Sequence, residues 1–167
     1  MIWYEAVSVS SEGRSNPRQL WINSTNVSAF KALNEQMRSS AKKYKISPLL
    51  IVQLTHSGRY SKPDGNPHPM VASLNETLDK VIPHVLTDDE LIYIQNEYVE
   101  AAKLAADAGF DGVDLKACHG YLMIETLAAR LRMNSIYGGE NPYNRFRFFL
   151  DTIDRIKAEV PGLVLTT

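Results

Sequence analysis

The chain has 167 residues, 44% hydrophobic and 22% charged, a composition suited to one globular domain with its own core. Lys and Arg number 18 against 19 Asp and Glu, and the resulting formal net charge of -1 lacks the positive field that a phosphate backbone demands, which excludes nucleic acid as a main partner. No apolar run approaches the ~18 residues of a membrane span, Met1 to Glu5 is not a basic signal-peptide start, and the single cysteine, Cys118, excludes an internal disulfide and suits a reducing, cytoplasmic setting.

Trp3 to Val9 reads as the first strand. A helix follows from about Val27 to Tyr44, with Ser24, Thr25 or Asn26 available to cap it. Leu49 to Thr55 is the second strand. Ser57 to Leu86 carries Pro63, Pro67, Pro69 and Pro83 and is expected to be a loop with one helical turn near Leu74, a candidate lid. Thr87-Asp88-Asp89-Glu90 is a capping box, after which Leu91, Ile94, Tyr98, Ala101, Ala105 and Ala108 step by three and four into an amphipathic helix ending at Gly109. Gly112 to Lys116 is a third strand, Tyr121 to Arg130 a short helix, and Gly138-Gly139 a turn. Phe146, Phe149, Ile153 and Ile156 mark a further helix before a fourth strand, Leu163 to Thr167. Apolar strands each followed by a helix define an α/β fold with right-handed crossovers, either a doubly wound sheet or part of an eight-fold barrel. A whole barrel needs at least ~200 residues, so four strands would make half of one.

In either architecture chemistry gathers where strands end. The two-residue alternation puts Leu50, Val52 and Leu54 towards helices and Ile51, Gln53 and Thr55 on the other face. On the third strand Gly112, Asp114 and Lys116 share a face, with His119 and Tyr121 just beyond. Asp114 and Lys116 are then either a buried ion pair filling a layer or the start of a site in which the carboxylate keeps the ammonium charged. Gln53 is either a satisfied core amide or a cofactor ligand, and His56 and Arg59 can serve as loop anchors. Cys118 reads as a small buried hydrophobe rather than a nucleophile. His56, His68, His84 and His119 show no metal spacing, so no metal site is expected. Gly138-Gly139 lacks the context of a dinucleotide fingerprint.

Four stretches carry a resemblance: Val52-Gln53-Leu54-Thr55-His56-Ser57-Gly58-Arg59, Gly109-Phe110-Asp111-Gly112-Val113-Asp114-Leu115, His119-Gly120-Tyr121-Leu122, and Tyr137-Gly138-Gly139 followed by Asn144-Arg145-Phe146-Arg147-Phe148. In this order and near this spacing, and with Glu5-Ala6-Val7-Ser8-Val9 and Glu12-Gly13-Arg14 before them, they resemble the old yellow enzyme family of NADH:flavin oxidoreductases. The resemblance implies a TIM barrel carrying FMN at its C-terminal mouth and using NADH or NADPH. Residues 1–167 would be a single partial-barrel domain similar to the family's second to fifth strands. It further implies that the backbone of Ala6 lies against the flavin ring and that the amide of Gln53 bonds the flavin pyrimidine. His119 would be the second member of the pair that polarises the carbonyl of an unsaturated carbonyl substrate, and Tyr121 the tyrosine that protonates substrate carbon. Hydride addition to an activated alkene builds enolate charge on oxygen and needs a proton at carbon, which those residue types can meet.

The chain departs from the family in three ways. Lys116 stands where the family often has the first histidine of the pair, making an ammonium the donor on the oxyanion side and a group facing both substrate and cofactor. The segment from Gly139 to Asn144 is one residue longer than usual. The family's first strand, last three strands, flavin phosphate site and an arginine expected after Thr167 are not within these residues, so the expectation for this fragment alone is weak FMN binding, inactivity and self-association or pairing with the remainder of a barrel. Two other readings stay open: a Schiff-base enzyme of class I aldolase type with Lys116 as nucleophile, and a non-catalytic, self-associating half-barrel.

Overall fold

In the computed structural model, which describes residues 1–167, the apolar runs become strands and the period-3.6 runs become helices on one side of them. The order is β1 (Ile2–Ser8), α1 (Val27–Lys42), β2 (Leu50–Thr55), β3 (Met70–Val71), β4 (His84–Val85), α2 (Asp88–Asp107), β5 (Gly112–Leu115), α3 (Leu122–Ala128), α4 (Pro142–Glu159) and β6 (Val164–Thr166). The main sheet is parallel throughout, with strands in the order β1-β2-β5-β6. A doubly wound sheet reverses direction at a switch point. Here each long strand is added on the same side of the last, the progression of a (β/α) barrel.

Leu50, Val52 and Leu54 pack with Val7, Val113 and Leu115 against Phe30 of α1 and Leu91, Ile94 and Tyr98 of α2, so the helix-facing parity expected for β2 is the one found. In β1 the register shifts between Trp3 and Ala6. Tyr4 keeps the helix-side parity of Ile2, its hydroxyl donating to Asn34 Oδ1 at 2.6 Å, and the shift sets Ala6 opposite Gln53. Helix α2 begins as its sequence requires: the Thr87 hydroxyl accepts from Glu90 N and Glu90 Oε2 accepts from Thr87 N, closing the capping box. Leu91, Ile94, Tyr98, Ala101, Ala105 and Ala108 are all buried.

Some expectations are corrected. Helix α1 has no side-chain cap, because the amide of Asn26 donates to Trp21 O and its carbonyl accepts from Asn23 N. On α4 the buried stripe is Phe148, Thr152 and Ile156, with Phe146 exposed, since Phe148 meets the ring edges of Tyr98 and Tyr137 at centroid distances of 6.5 and 5.9 Å. The proline-rich segment is not a free lid. It has a hydrogen-bonded turn just after Leu74, where Leu78 N and Asp79 N both donate to Asn75 O, and a second turn at Gly58–Tyr60, and β3 and β4 pair within it. Arg59, nearly buried, ion-pairs with Asp79 and Glu125 and donates to Ser73 O at 2.8 Å. Arg132 donates to the carbonyls of Ala72 and Leu86 and to Asp88 Oδ1 at 2.5 Å. Two guanidiniums thus tie the segment to α3 and to the start of α2. No helix is long and apolar enough to cross a membrane.

Candidate active site

On the face away from the helices, register alone aligns one residue from each long strand: Ala6 opposite Gln53, Gln53 opposite Asp114, and Asp114 opposite Thr166. Gln53 Nε2 donates to Asp114 Oδ2 at 2.5 Å and Thr166 Oγ1 donates to Asp114 Oδ1 at 3.0 Å. Both carboxylate oxygens are therefore occupied by neighbours across the sheet, and Asp114 is buried. The expected Asp114–Lys116 ion pair does not form. Adjacent strands lie ~4.8 Å apart whereas residues two apart on one strand are ~6.6 Å apart, so cross-strand partners win the contest for the carboxylate.

Lys116 continues the β2 ladder one step past β5, with its N–H donating to Leu54 O at 3.0 Å. Its side chain turns onto the Tyr121 ring, Nζ lying 4.4 Å from the centroid. Tyr121 precedes the first residue of α3, and its ring packs 6.0 Å from that of Tyr60 at an interplanar angle of 40°. His119 is exposed, at a left-handed backbone position of φ 58°, with Nδ1 3.6 Å from Cys118 Sγ. Cys118 is exposed rather than buried, because β5 ends at Leu115 and the chain leaves the sheet before reaching it. A cavity of about 280 Å³ adjoins Tyr121 and Ala6 and is also lined by Glu5, Ser15, Arg18 and Gln19. The structure brings Ala6, Gln53, Lys116, His119 and Tyr121 to the C-terminal ends of three neighbouring strands or just past them.

The supports of this site are buried. His56, directly after β2, accepts from Leu122 N through its carbonyl at 3.1 Å and from Gly58 N through Nδ1 at 3.1 Å, joining strand end, turn and α3. Full burial pushes its imidazole down to about 4. Gly13 packs on this ring so closely that a Cβ there would stand 2.5 Å from Cδ2. Glu125 of α3 accepts from Ala72 N and Arg59, and burial pushes its carboxyl up against the pull of Arg59. His56 and Arg59 are thus the loop anchors their positions suggested. Gln19, whose amide donates to Ala6 O at 2.9 Å, and Tyr60, beside Tyr121, carried no sequence signal, since both reach the site through turns.

A larger cavity of about 1050 Å³ lies between residues 72–76, Val85–Asp88 and Leu131–Ser135. None of the strand-end residues lines it, and Arg132, its buried cation, is already engaged by Asp88 and two carbonyls.

Comparison with known proteins agrees with the fold and the order of motifs. The chain is 31% identical over 158 residues to an NADPH dehydrogenase of Bacillus velezensis, and 30% identical over 169 residues to a putative 12-oxophytodienoate reductase 3 of Oryza sativa subsp. japonica. These matches cover 94% and 93% of this chain but 45% and 42% of those proteins, so the chain spans about half the length of the curated relatives it matches. Among solved structures, morphinone reductase superposes with a TM-score of 0.81 at 24% identity over 98% of this chain and 48% of that one. The old yellow enzyme homologue of Zymomonas mobilis gives 0.80 at 26% identity, again covering 98% and 48%. The fold is part of a TIM barrel of the old yellow enzyme type, and proteins of that type use FMN with NADH or NADPH as reductant. The model of the NADH:flavin oxidoreductase / NADH oxidase family matches residues 1–162, and the chain belongs to that family of oxidoreductases.

Proposed function

We propose that residues 1–167 form a single partial-barrel domain corresponding to the second to fifth strands of the family barrel. In this reading the domain supplies part of an FMN site and the substrate-binding and proton-donating groups for reduction of the C=C bond of α,β-unsaturated carbonyl compounds by NADH or NADPH. The observation that carries this reading is the row Ala6–Gln53–Asp114–Thr166 with Lys116, His119 and Tyr121 at its open end. Gln53 fits the edge of a flavin: its Nε2 is anchored by Asp114, while its Oε1 has no partner in the protein and is left as an acceptor for a ring N–H. Ala6 adds a backbone held in place by Gln19.

Bound FMN supplies the hydride. His119 and Lys116 donate to the substrate carbonyl oxygen, fixing the alkene and stabilising the negative charge that gathers there. Tyr121 delivers a proton to the carbon next to the carbonyl. Tyr60 and Lys116, set against the Tyr121 ring, limit where its hydroxyl can point.

The Schiff-base alternative needs a neutral amine at Lys116. Nζ instead lies over the Tyr121 ring, 4.4 Å from its centroid, the placement of a cation on an aromatic face, so the geometry supports a cationic donor. For partners beyond the substrate, β1 and β6 are the edges of the sheet, with Trp3 and Val164 exposed on them, which supports self-association or pairing with further strands. A cytoplasmic setting is supported by the exposed thiol of Cys118.

The reading is tested with these residues set in a completed barrel: that FMN-loaded protein is reduced with NADPH under anaerobic conditions and 2-cyclohexenone is added. Reoxidation with one saturated ketone formed per flavin is expected. Reoxidation by oxygen alone, with no saturated product, would contradict it.

A further inference from the structure

Beside the mouth lies a further cavity, of about 260 Å³, lined by Arg59, Tyr60 and Lys62 from the chain just past β2 and by Asp79, Lys80 and Val81 from the stretch before β4. Tyr60 joins it to the site, since its ring packs 6.0 Å from that of Tyr121, which borders the cavity at Ala6. The charges on its lining do not balance. Asp79 is the one acid there, and its carboxylate is committed, Oδ1 to Arg59 and Oδ2 to the N–H of Asn75. Arg59 in turn is held by Asp79, Glu125 and Ser73 O. Lys62 and Lys80 are exposed, and no carboxylate oxygen comes within 4.0 Å of either ammonium. Lys80 Nζ donates to Thr77 O at 3.3 Å, and Asp64, two residues from Lys62, accepts from Asn66 instead. Two ammoniums without an anion are thus presented from two segments that Arg59 and the β3–β4 pairing hold together.

We propose that this cavity holds the 2′-phosphate of NADPH, with Lys62 and Lys80 as its counter-ions, and so selects NADPH over NADH as reductant. The inference rests on the placement of the flavin along Ala6 and Gln53 under Proposed function and goes beyond it to the choice of reductant. The two dinucleotides carry the same nicotinamide and differ in one phosphomonoester on the adenosine ribose, which holds roughly 1.5 to 2 negative charges at pH 7. With the nicotinamide at the flavin beside Tyr121, the adenosine end has to leave the mouth, and the way past Tyr60 leads to the two ammoniums. Ammonium heads on flexible stems meet a phosphate as point charges. A volume below the ~300–1,000 Å³ of a whole-ligand pocket fits one end of a dinucleotide, and Leu78 and Val81, both exposed on this lining, offer apolar surface to the adenine. Because both lysines lie at the surface, each contributes a small factor, about threefold, and the pair about tenfold.

The test uses these residues set in a completed barrel and loaded with FMN. Anaerobic reduction by NADPH and by NADH is followed in stopped flow, and the concentration of each that half-saturates the rate is measured for wild type, Lys62→Met, Lys80→Met, the double variant and Lys62→Arg. Wild type should half-saturate with NADPH at a concentration about tenfold below that for NADH, each single Met variant should lose about threefold of that preference, and the double variant all of it. NADH should stay within about twofold throughout, reporting an intact flavin and mouth, and Lys62→Arg should keep the preference. Raising the salt from about 0.05 to about 0.5 M should shrink the preference of wild type and leave the double variant unchanged. Equal half-saturation by the two reductants in wild type, a preference that survives in the double variant, or equal weakening of NADPH and NADH by the substitutions would overturn the proposal. If 2-cyclohexenone fails to reoxidise the reduced protein while the NADPH preference and its loss both hold, the alkene reading falls and the phosphate site stands. If neither reductant reduces the flavin, both fall.

Discussion

Gln53 and Asp114 meet across β2 and β5 through a 2.5 Å hydrogen bond from the amide Nε2 to the carboxylate Oδ2. The contact links fold to site, because the group proposed to read the flavin edge is oriented by a buried acid that also receives the Thr166 hydroxyl. Asp114→Ala leaves two donors without their acceptor and should cost about 1–3 kcal/mol of stability. With Gln53 free to rotate, FMN affinity should fall on the order of tenfold. Thermal denaturation and flavin titration check the two effects, and an unchanged FMN affinity would remove Asp114 from the positioning role.

The buried imidazole of His56 makes stability depend on pH. Its value is lowered from 6.5 to about 4, so the folded protein keeps it neutral where the unfolded chain takes up a proton. Its contribution is complete above pH 6.5, declines as pH falls towards about 4 and changes no further below that, on the order of 3 kcal/mol in all. Glu90, held below its ordinary value of 4.5 by the Thr87 N–H, contributes losses only at lower pH. Denaturant midpoints between pH 7 and 4.5 should therefore fall in wild type and flatten in His56→Gln. Parallel curves for the two proteins would contradict this.

Gly58 has φ 56° and would place a Cβ 2.9 Å from Leu122 N, the first residue of α3. Gly58→Ala combines backbone strain with a backbone clash, costs about 1–3 kcal/mol, and pushes α3 and the adjoining Tyr121 out of place. Turnover should drop on the order of tenfold beyond what any loss of flavin explains. The melting temperature and the rate per bound flavin measure the two parts, and a variant with wild-type values for both would show that α3 tolerates the intrusion.

Much of this arrangement was legible in the chain, and the exceptions share a cause. The α2 capping box depends on residues three apart, so Thr87 and Glu90 announced the helix start. The parity of β2 followed from strand geometry and put Gln53 on the face away from the helices. The partner of Asp114 was misread because Lys116 is close in sequence while Gln53 and Thr166, 61 and 52 residues away, are closer in space. The same holds for the segment after Ser57: its prolines predicted irregular backbone, but its tethering by Arg59 and Arg132 arises from contacts with α3, Asp88 and distant carbonyls. Cys118 was misplaced because its burial was read from residue type, whereas it lies past the end of β5 in the exposed stretch before α3.

The central claim, that Tyr121 protonates substrate carbon in an alkene reduction, is tested most directly by measuring the two half-reactions of Tyr121→Phe, in the completed barrel, separately in stopped flow. A phenol donating to carbon matters only while the alkene is being saturated. Reduction of the FMN-loaded variant by NADPH should stay within about threefold of wild type, whereas its reoxidation by 2-cyclohexenone should slow at least about a hundredfold. Equal slowing of both half-reactions, or reoxidation at the wild-type rate, would contradict the account.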